Sequence, residues 1–206
     1  MFQPIPNIDE VIKRSKIHPS RVKNVYIFGS RVYGCCTEKS DWDFIMVANT
    51  SISNQEIRSG DFNIHVMTMD NFKFCLKEHK SSQVEAFLTP DKFRLMETEK
   101  IDWTPNISSL RHSFSHTSSN SWVKSRKKIE QGDYHIGIKS MFHSLRIPMF
   151  GIQIAKTCKI NNFSEANWIN DKIMSKTWKW SELDSEFREV RNKILSDFRS
   201  VTTKGY

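Results

Sequence analysis

Residues 26–47 read YIFGSRVYGCCTEKSDWDFIMV, and this stretch decides the fold. It holds two apolar runs, each typical of a buried strand, separated by a short segment with two glycines and a Ser-Asp-Trp-Asp sequence. Asp41 and Asp43 are two residues apart, so on a strand both carboxylates project from one face. Two oxygen ligands beside a Gly-Ser turn with backbone N–H groups suit a magnesium ion and a triphosphate.

The whole pattern consists of a Gly-Ser turn, a nearby glycine, and Ser-Asp-x-Asp leading into a strand. It is carried by Gly29, Ser30, Gly34, Ser40, Asp41 and Asp43. This pattern resembles the DNA polymerase β-like nucleotidyltransferase superfamily. The resemblance implies that the Gly-Ser turn opens a helix and holds a nucleoside triphosphate. It also implies that the two aspartates bind Mg²⁺ or Mn²⁺ for two-metal catalysis of an in-line displacement. By the same resemblance, Gly29, Ser30, Gly34 and Ser40 belong to the nucleotide-binding segment, and Arg31, directly after the turn, would contact the triphosphate.

The amino-acid composition limits the classes of protein to which this chain can belong. The chain has 206 residues, 38% hydrophobic and 12% aromatic, which favours a folded protein with a sizeable core. It has no run of 18 apolar residues and no secretory pattern at the start, so we expect no membrane partner. The cysteines lack CxxC spacing, which favours free thiols in the cytoplasm. The formal charge of +8 permits attraction to a polyanion such as RNA.

Periodicity and turn signals predict an α+β protein. The first half is predicted to be a small mixed β-sheet nucleotidyltransferase core with helices on one side, and an all-helical C-terminal domain follows. Predicted strands cover residues 24–28, 42–48 and 61–67. Predicted helices cover residues 8–15, 52–58, 69–79, 81–88, 107–130, 133–157, 164–175 and 181–200, with a short one after Ser30. We therefore predict a catalytic domain over residues 1–103 and a helical domain over 104–206 that forms the other wall of a cleft.

The third acidic ligand of the superfamily is the point where this sequence departs from the pattern. The segments MTMDNF at 67–72 and VEAFL at 84–88 resemble the YcgL-type predicted nucleotidyltransferases of bacteria and phages. With Phe72 as the anchor, the third aspartate of that branch falls on Asn63. Three alternatives remain: a bulge lets Asp61 serve instead, Asn63 is a neutral ligand, or the site is catalytically impaired. His65 shares the strand face of both residues, either as a metal ligand or base or as a packed side chain.

Lys139, His143 and Arg146 are spaced to line one face of a predicted helix. The string again resembles the helical domain of the YcgL-type branch, which implies that the three side chains approach nucleotide or acceptor phosphates. A solvated basic face is the alternative.

Three functions follow as hypotheses. The first is a metal-dependent nucleotidyltransferase that moves a nucleoside monophosphate from an NTP to a hydroxyl of RNA, protein or a small molecule. The second is a catalytically impaired protein of the same fold that binds nucleotide, RNA or a protein partner. The third is an antitoxin-like enzyme that modifies a toxin, although such minimal proteins typically lack a large helical domain. The sequence makes no prediction about oligomeric state.

Overall fold

The computed structural model describes residues 4–203. The chain is α+β: a five-stranded mixed sheet with helices is followed by an all-helical region. It divides into two compact units with the boundary between Thr104 and Pro105.

The first unit carries the sheet, four α-helices and two short 3-10 helices (Pro19–Arg21 and Asp91–Phe93) in the described part of the chain. Its strands are β1 (Val22–Phe28), β2 (Trp42–Ala48), β3 (Asn54–Ser59), β4 (Phe62–Met67) and β5 (Arg94–Glu97). Its helices are α1 (Ile8–Ser15), α2 (Ser30–Tyr33), α3 (Met69–Lys77) and α4 (Ser81–Phe87). The Asn7 side chain caps α1 by accepting from the backbone N–H of Asp9, and the Thr68 hydroxyl caps α3 by accepting from that of Asn71.

The strands lie in the order β3-β4-β2-β1-β5. β1 and β2 are antiparallel, whereas β2 and β4 are parallel. The parallel pair arises because β3 runs back along the sheet edge before β4 reverses direction. Apolar residues of β2 from Phe44 to Ala48 are fully buried, so only the N-terminal end of this central strand can present polar groups.

The prediction of a helix over residues 52–58 is wrong, because this segment contains the edge strand β3. Gly60 and Asp61 form a two-residue connection in which Ser59 pairs with Phe62, and Gly60 has φ 62°. A Gly-Asp connection of this length is typical of a β-hairpin. The polar character of β3 suits an edge strand whose side chains are partly solvated. β5, a further edge strand, was not predicted.

The second unit consists of α5 (Ile107–Glu130), α6 (Tyr134–Thr157), α7 (Asn167–Met174) and α8 (Trp180–Thr203) in its described part. α6 runs through Pro148 as one helix. α6 packs closely against α8 at Gly151, because a Cβ at this position would lie 2.6 Å from a ring carbon of Phe198 on α8. Within residues 4–203, no helix combines the length and apolar character that crossing a membrane requires.

Candidate active site

The N-terminal end of β2 places Asp43 between its two neighbouring strands. Asp43 pairs in register with Phe28 of β1 and with Asn63 of β4. Residues directly opposite in these ladders project from the same face of the sheet. Asp43 is half-buried, whereas Phe44 next to it is fully buried on the other face. A carboxylate is therefore held at the edge of the core with its polar surroundings fixed by both neighbours.

Asn63 joins Asp43 to His65 through its side-chain amide. Its Nδ2 donates to Asp43 Oδ1 at 3.1 Å and lies 3.2 Å from His65 Nε2. The amide oxygen, Oδ1, is buried and has no hydrogen-bond partner among the described residues 4–203. A buried amide oxygen without a partner costs free energy, roughly 1–3 kcal/mol. Asp43, Asn63 and His65 are called the Asp43 cluster below.

His65 is held in place from two sides. Its ring lies 6.0 Å from the Phe28 ring in an edge-on arrangement. When the amide of Asn63 donates to Nε2, that nitrogen carries a lone pair and the proton of the neutral imidazole sits on Nδ1. In this tautomer, both Asp43 Oδ1 and His65 Nε2 direct lone pairs at one point, which the amide nitrogen of Asn63 fills.

The Gly29–Ser30 turn touches the Asp43 carboxylate. Gly29 has φ 85° and ψ −161°, a conformation that is accessible essentially to glycine alone. A Cβ on Gly29 would lie 2.5 Å from Asp43 Oδ2. The turn then leads directly into α2, with Ser30 half-buried as its first residue. Glycine is required here both by the backbone and by the nearness of the carboxylate.

Asp41 lies just before β2 and is exposed. It shares its surroundings with Arg58 on β3, a residue that the sequence analysis missed because it treated this segment as a helix. The hydrogen bond that Arg58 donates to Glu56 raises the pKa of the Arg58 guanidinium, and the charges of Asp41 and Asp43 raise it further. Arg58 pairs in register with Asn63, so its side chain projects from the face that carries the Asp43 cluster. The Gly60-Asp61 hairpin signal would have revealed it.

Arg31, Ser40 and Gly34 hold the loop between α2 and β2. The buried Arg31 guanidinium donates to the carbonyl oxygens of Ser40 and Asp41, the latter at 3.3 Å, and lies 4.2 Å from the centre of the Trp42 ring. The Ser40 hydroxyl accepts from the Thr37 N–H at 2.8 Å. Gly34, at φ 78°, ends α2. These contacts position the loop that leads to Asp41, and the predicted nucleotide contacts of these residues stay predictions.

Asp61 forms an ion pair with Arg14. It lies in the turn before β4, and its carboxylate accepts from Arg14 Nη1 at 3.0 Å. The Arg14 guanidinium covers the Phe62 ring at 3.9 Å, and Phe62 projects from the opposite face to Asn63. The structure therefore brings Asp43, Asn63 and His65 together and gives Asp61 a different partner.

The donor set fits a divalent cation. Asp41 and Asp43 would supply carboxylate oxygens. The partnerless Oδ1 of Asn63 is an amide oxygen of the kind that hard cations accept, and it would join them when the amide turns over, because the amide nitrogen now faces Asp43. Among residues 4–203, no group of three or more His, Cys, Asp or Glu side chains is arranged to hold a metal. Any metal at this site would thus draw on the amide or on a ligand from its substrate.

The three basic residues predicted on one helix face lie together on α6. Arg146 Nη2 lies 3.1 Å from His143 Nδ1, and Arg146 is buried against the Phe150 ring. Burial lowers the pKa of His143 well below its usual value, and the charges of Arg146, Lys139 and Lys124 lower it further. Lys139 is exposed. Nucleotide binding by these residues stays a prediction, and so does a cleft that has the helical unit as one wall.

Neither a family model nor any curated protein matches the sequence. Among solved structures, the chain is similar to a nucleotidyltransferase-like protein from Exiguobacterium sibiricum. The match has 9% identity and a TM-score of 0.33, and it covers 95% of this chain and 73% of that one. Such a likeness is too low to support an argument about activity.

Proposed function

We propose that this protein is a metal-dependent nucleotidyltransferase that transfers a nucleoside monophosphate from an NTP to a hydroxyl acceptor. One observation carries the proposal: the Asp43 carboxylate lies against the Gly29–Ser30 turn and beside the Asn63 amide of the adjacent parallel strand. Gly29 and Asp43, which both belong to the pattern that resembles the superfamily, are therefore neighbours in space although 14 positions separate them. The narrower likeness to the YcgL-type branch remains a hypothesis.

In the proposed reaction, the acceptor hydroxyl oxygen forms a bond to the α-phosphorus of the NTP. The bond from that phosphorus to the bridging oxygen breaks, pyrophosphate leaves, and the hydroxyl proton passes to solvent or to a carboxylate. A bound Mg²⁺ or Mn²⁺ would neutralise charge on the phosphates. Asp41 and Asp43 would hold the cation, and the glycine turn would allow the triphosphate to approach the backbone closely. The acceptor is an RNA end, a protein side chain or a small molecule.

A second candidate is a binding protein that has lost catalysis. It is favoured by the identity of Asn63, which stands beside Asp43 where an acid would complete a three-carboxylate site. A neutral residue there weakens both cation binding and deprotonation of a hydroxyl.

Pyrophosphate release separates the two candidates. The protein is incubated with each NTP, with Mg²⁺ or Mn²⁺, and with total RNA, a protein mixture or a set of small hydroxyl compounds as acceptors. We expect release that depends on cation and acceptor and that disappears in Asp43→Asn. The matched control is Asp102→Asn, since Asp102 is exposed. NTP binding without pyrophosphate release under every condition would favour the binding protein instead.

A further inference from the structure

The hydrogen bonds of Asn63 leave an imbalance inside the Asp43 cluster. One proton of the amide is donated to the Asp43 carboxylate, and the other is donated to His65 Nε2 when the imidazole proton is on Nδ1. The buried amide oxygen has no partner in the described part of the chain. The amide nitrogen therefore occupies a point at which a carboxylate lone pair and an imidazole lone pair converge. Such a point attracts a cation.

Turning the amide of Asn63 over would exchange its nitrogen and oxygen. Three lone-pair atoms would then face each other: Asp43 Oδ1, Asn63 Oδ1 and His65 Nε2. That arrangement is repulsive unless a positive ion lies among them. Asp43 Oδ1 and His65 Nε2 now lie 3.1 and 3.2 Å from the amide nitrogen, and metal–ligand distances are about 2 Å. Movements of about 1 Å by these side chains would complete the coordination.

We infer that His65 is a metal ligand, and that the Asp43 cluster takes a first-row transition-metal dication such as Mn²⁺ or Co²⁺ in preference to Mg²⁺. An imidazole nitrogen binds such ions much better than it binds Mg²⁺, which prefers oxygen ligands. The neutral amide at position 63 reduces the negative charge that a Mg²⁺ site relies on. This inference rests on the proposed function only in assigning the cation to the same site.

Metal binding is tested with the full chain and with the cations alone. Isothermal titration calorimetry gives the affinities for Mg²⁺, Mn²⁺ and Co²⁺. The visible absorption of bound Co²⁺ reports its ligands and coordination geometry, so comparison with a His65 variant shows whether the imidazole is bound. We expect wild-type protein to bind Co²⁺ at least about tenfold more tightly than Mg²⁺. In His65→Gln this preference should fall to near unity, with loss of the Co²⁺ spectrum.

A second pair of imidazoles must be controlled for. His112 and His116 stack at 6.4 Å one turn apart on α5, and paired histidines at this spacing can bind transition metals. The variant His112→Gln/His116→Gln should keep the Co²⁺ spectrum and the preference over Mg²⁺. If that variant loses both while His65→Gln retains both, the inference is overturned.

Asn63→Asp gives an independent test that does not depend on the folding of His65→Gln. A third carboxylate should raise the Mg²⁺ affinity by about tenfold or more and narrow the preference for Co²⁺. Unchanged Mg²⁺ affinity in a variant with wild-type circular dichroism would count against the assignment.

Transfer activity measured on the same samples keeps the two proposals apart. Co²⁺ binding through His65 without pyrophosphate release from any NTP supports this inference and contradicts the proposed function. Pyrophosphate release with Mg²⁺, together with identical Co²⁺ binding by wild type and His65→Gln, would support the proposed function and contradict this inference.

Discussion

The side-chain amide of Asn63 donates a hydrogen bond to Asp43 across two parallel neighbouring strands, with 3.1 Å between Nδ2 and Oδ1. The contact gives the half-buried Asp43 carboxylate a hydrogen-bond donor from the protein itself. It also fixes the carboxylate where the Gly29 turn passes closest. Under the proposed metal binding, the amide of Asn63 would turn over to admit the cation, and this polar contact would form when the cation leaves.

Asp43→Asn should abolish pyrophosphate release and leave the fold intact. The new amide oxygen can still accept from Asn63, so the polar contact survives while the charge is lost. Removing a ligand that supplies about 3 kcal/mol of transition-state stabilisation lowers kcat/KM by about a hundredfold or more. Steady-state kinetics and far-UV circular dichroism measure the two effects. Activity within a factor of two of wild type would remove Asp43 from the proposed mechanism.

Asp61→Asn distinguishes the two candidates for the third ligand. Asp61 forms a half-exposed ion pair with Arg14, and such pairs contribute at most about 1 kcal/mol to stability. We therefore expect a small loss in the free energy of unfolding and kcat/KM close to wild type. A loss of activity as large as that of Asp43→Asn would show that Asp61, despite its pairing with Arg14, serves the reaction.

Gly29→Ala should reduce both stability and activity. Its backbone conformation costs a non-glycine residue about 1–3 kcal/mol, and the new methyl group displaces the Asp43 carboxylate. Gly132→Ala is the matched control: Gly132 has φ 81°, and a Cβ there would meet nothing within 4 Å. Urea unfolding should detect destabilisation in both variants, whereas only Gly29→Ala should lose pyrophosphate release. Equal activity in the two variants would contradict the close approach of turn and carboxylate.

The central strands are predicted well from the sequence, because short apolar runs between turn signals are typical of buried strands. The predicted strand at 42–48 matches β2, and the predicted helix at 107–130 matches α5. The helix prediction at 52–58 is wrong because the polar composition of this segment does not by itself indicate a strand. The Gly60-Asp61 connection, which pairs the segment with β4, is the signal that does. The partner of Asp61 could not be predicted, because Arg14 lies 47 positions away in the chain. Strand alternation assigns a face to a residue, but it does not identify a competing ion pair.

The positive charge of Arg58 should lower the affinity of the proposed site for a cation. It is exposed on the same sheet face as the Asp43 cluster, and the charges of Asp41 and Asp43 raise its pKa beyond the effect of its Glu56 partner. Arg58→Gln removes a positive charge near the carboxylates and should strengthen Mn²⁺ binding by about two- to fivefold. Glu56→Gln should weaken it. Calorimetry at low and at high salt measures both, and both effects should shrink with salt because exposed charges are screened. Effects of the same sign, or effects that salt does not change, would exclude a charge mechanism.

His143 should make the helical unit sensitive to acid. Burial and three nearby cations hold its pKa well below the usual value, so the folded state keeps the imidazole neutral where the unfolded state binds a proton. The free energy of unfolding is therefore unaffected above about pH 6.5 and falls as the pH drops below the unfolded pKa, with a slope of up to about 1.4 kcal/mol per pH unit. Urea unfolding between pH 7.5 and 5.0 measures the slope. His143→Gln, whose side-chain oxygen can still accept from Arg146, should flatten it, whereas His135→Gln at an exposed position should not. An unchanged slope in His143→Gln would assign the acid sensitivity to other groups.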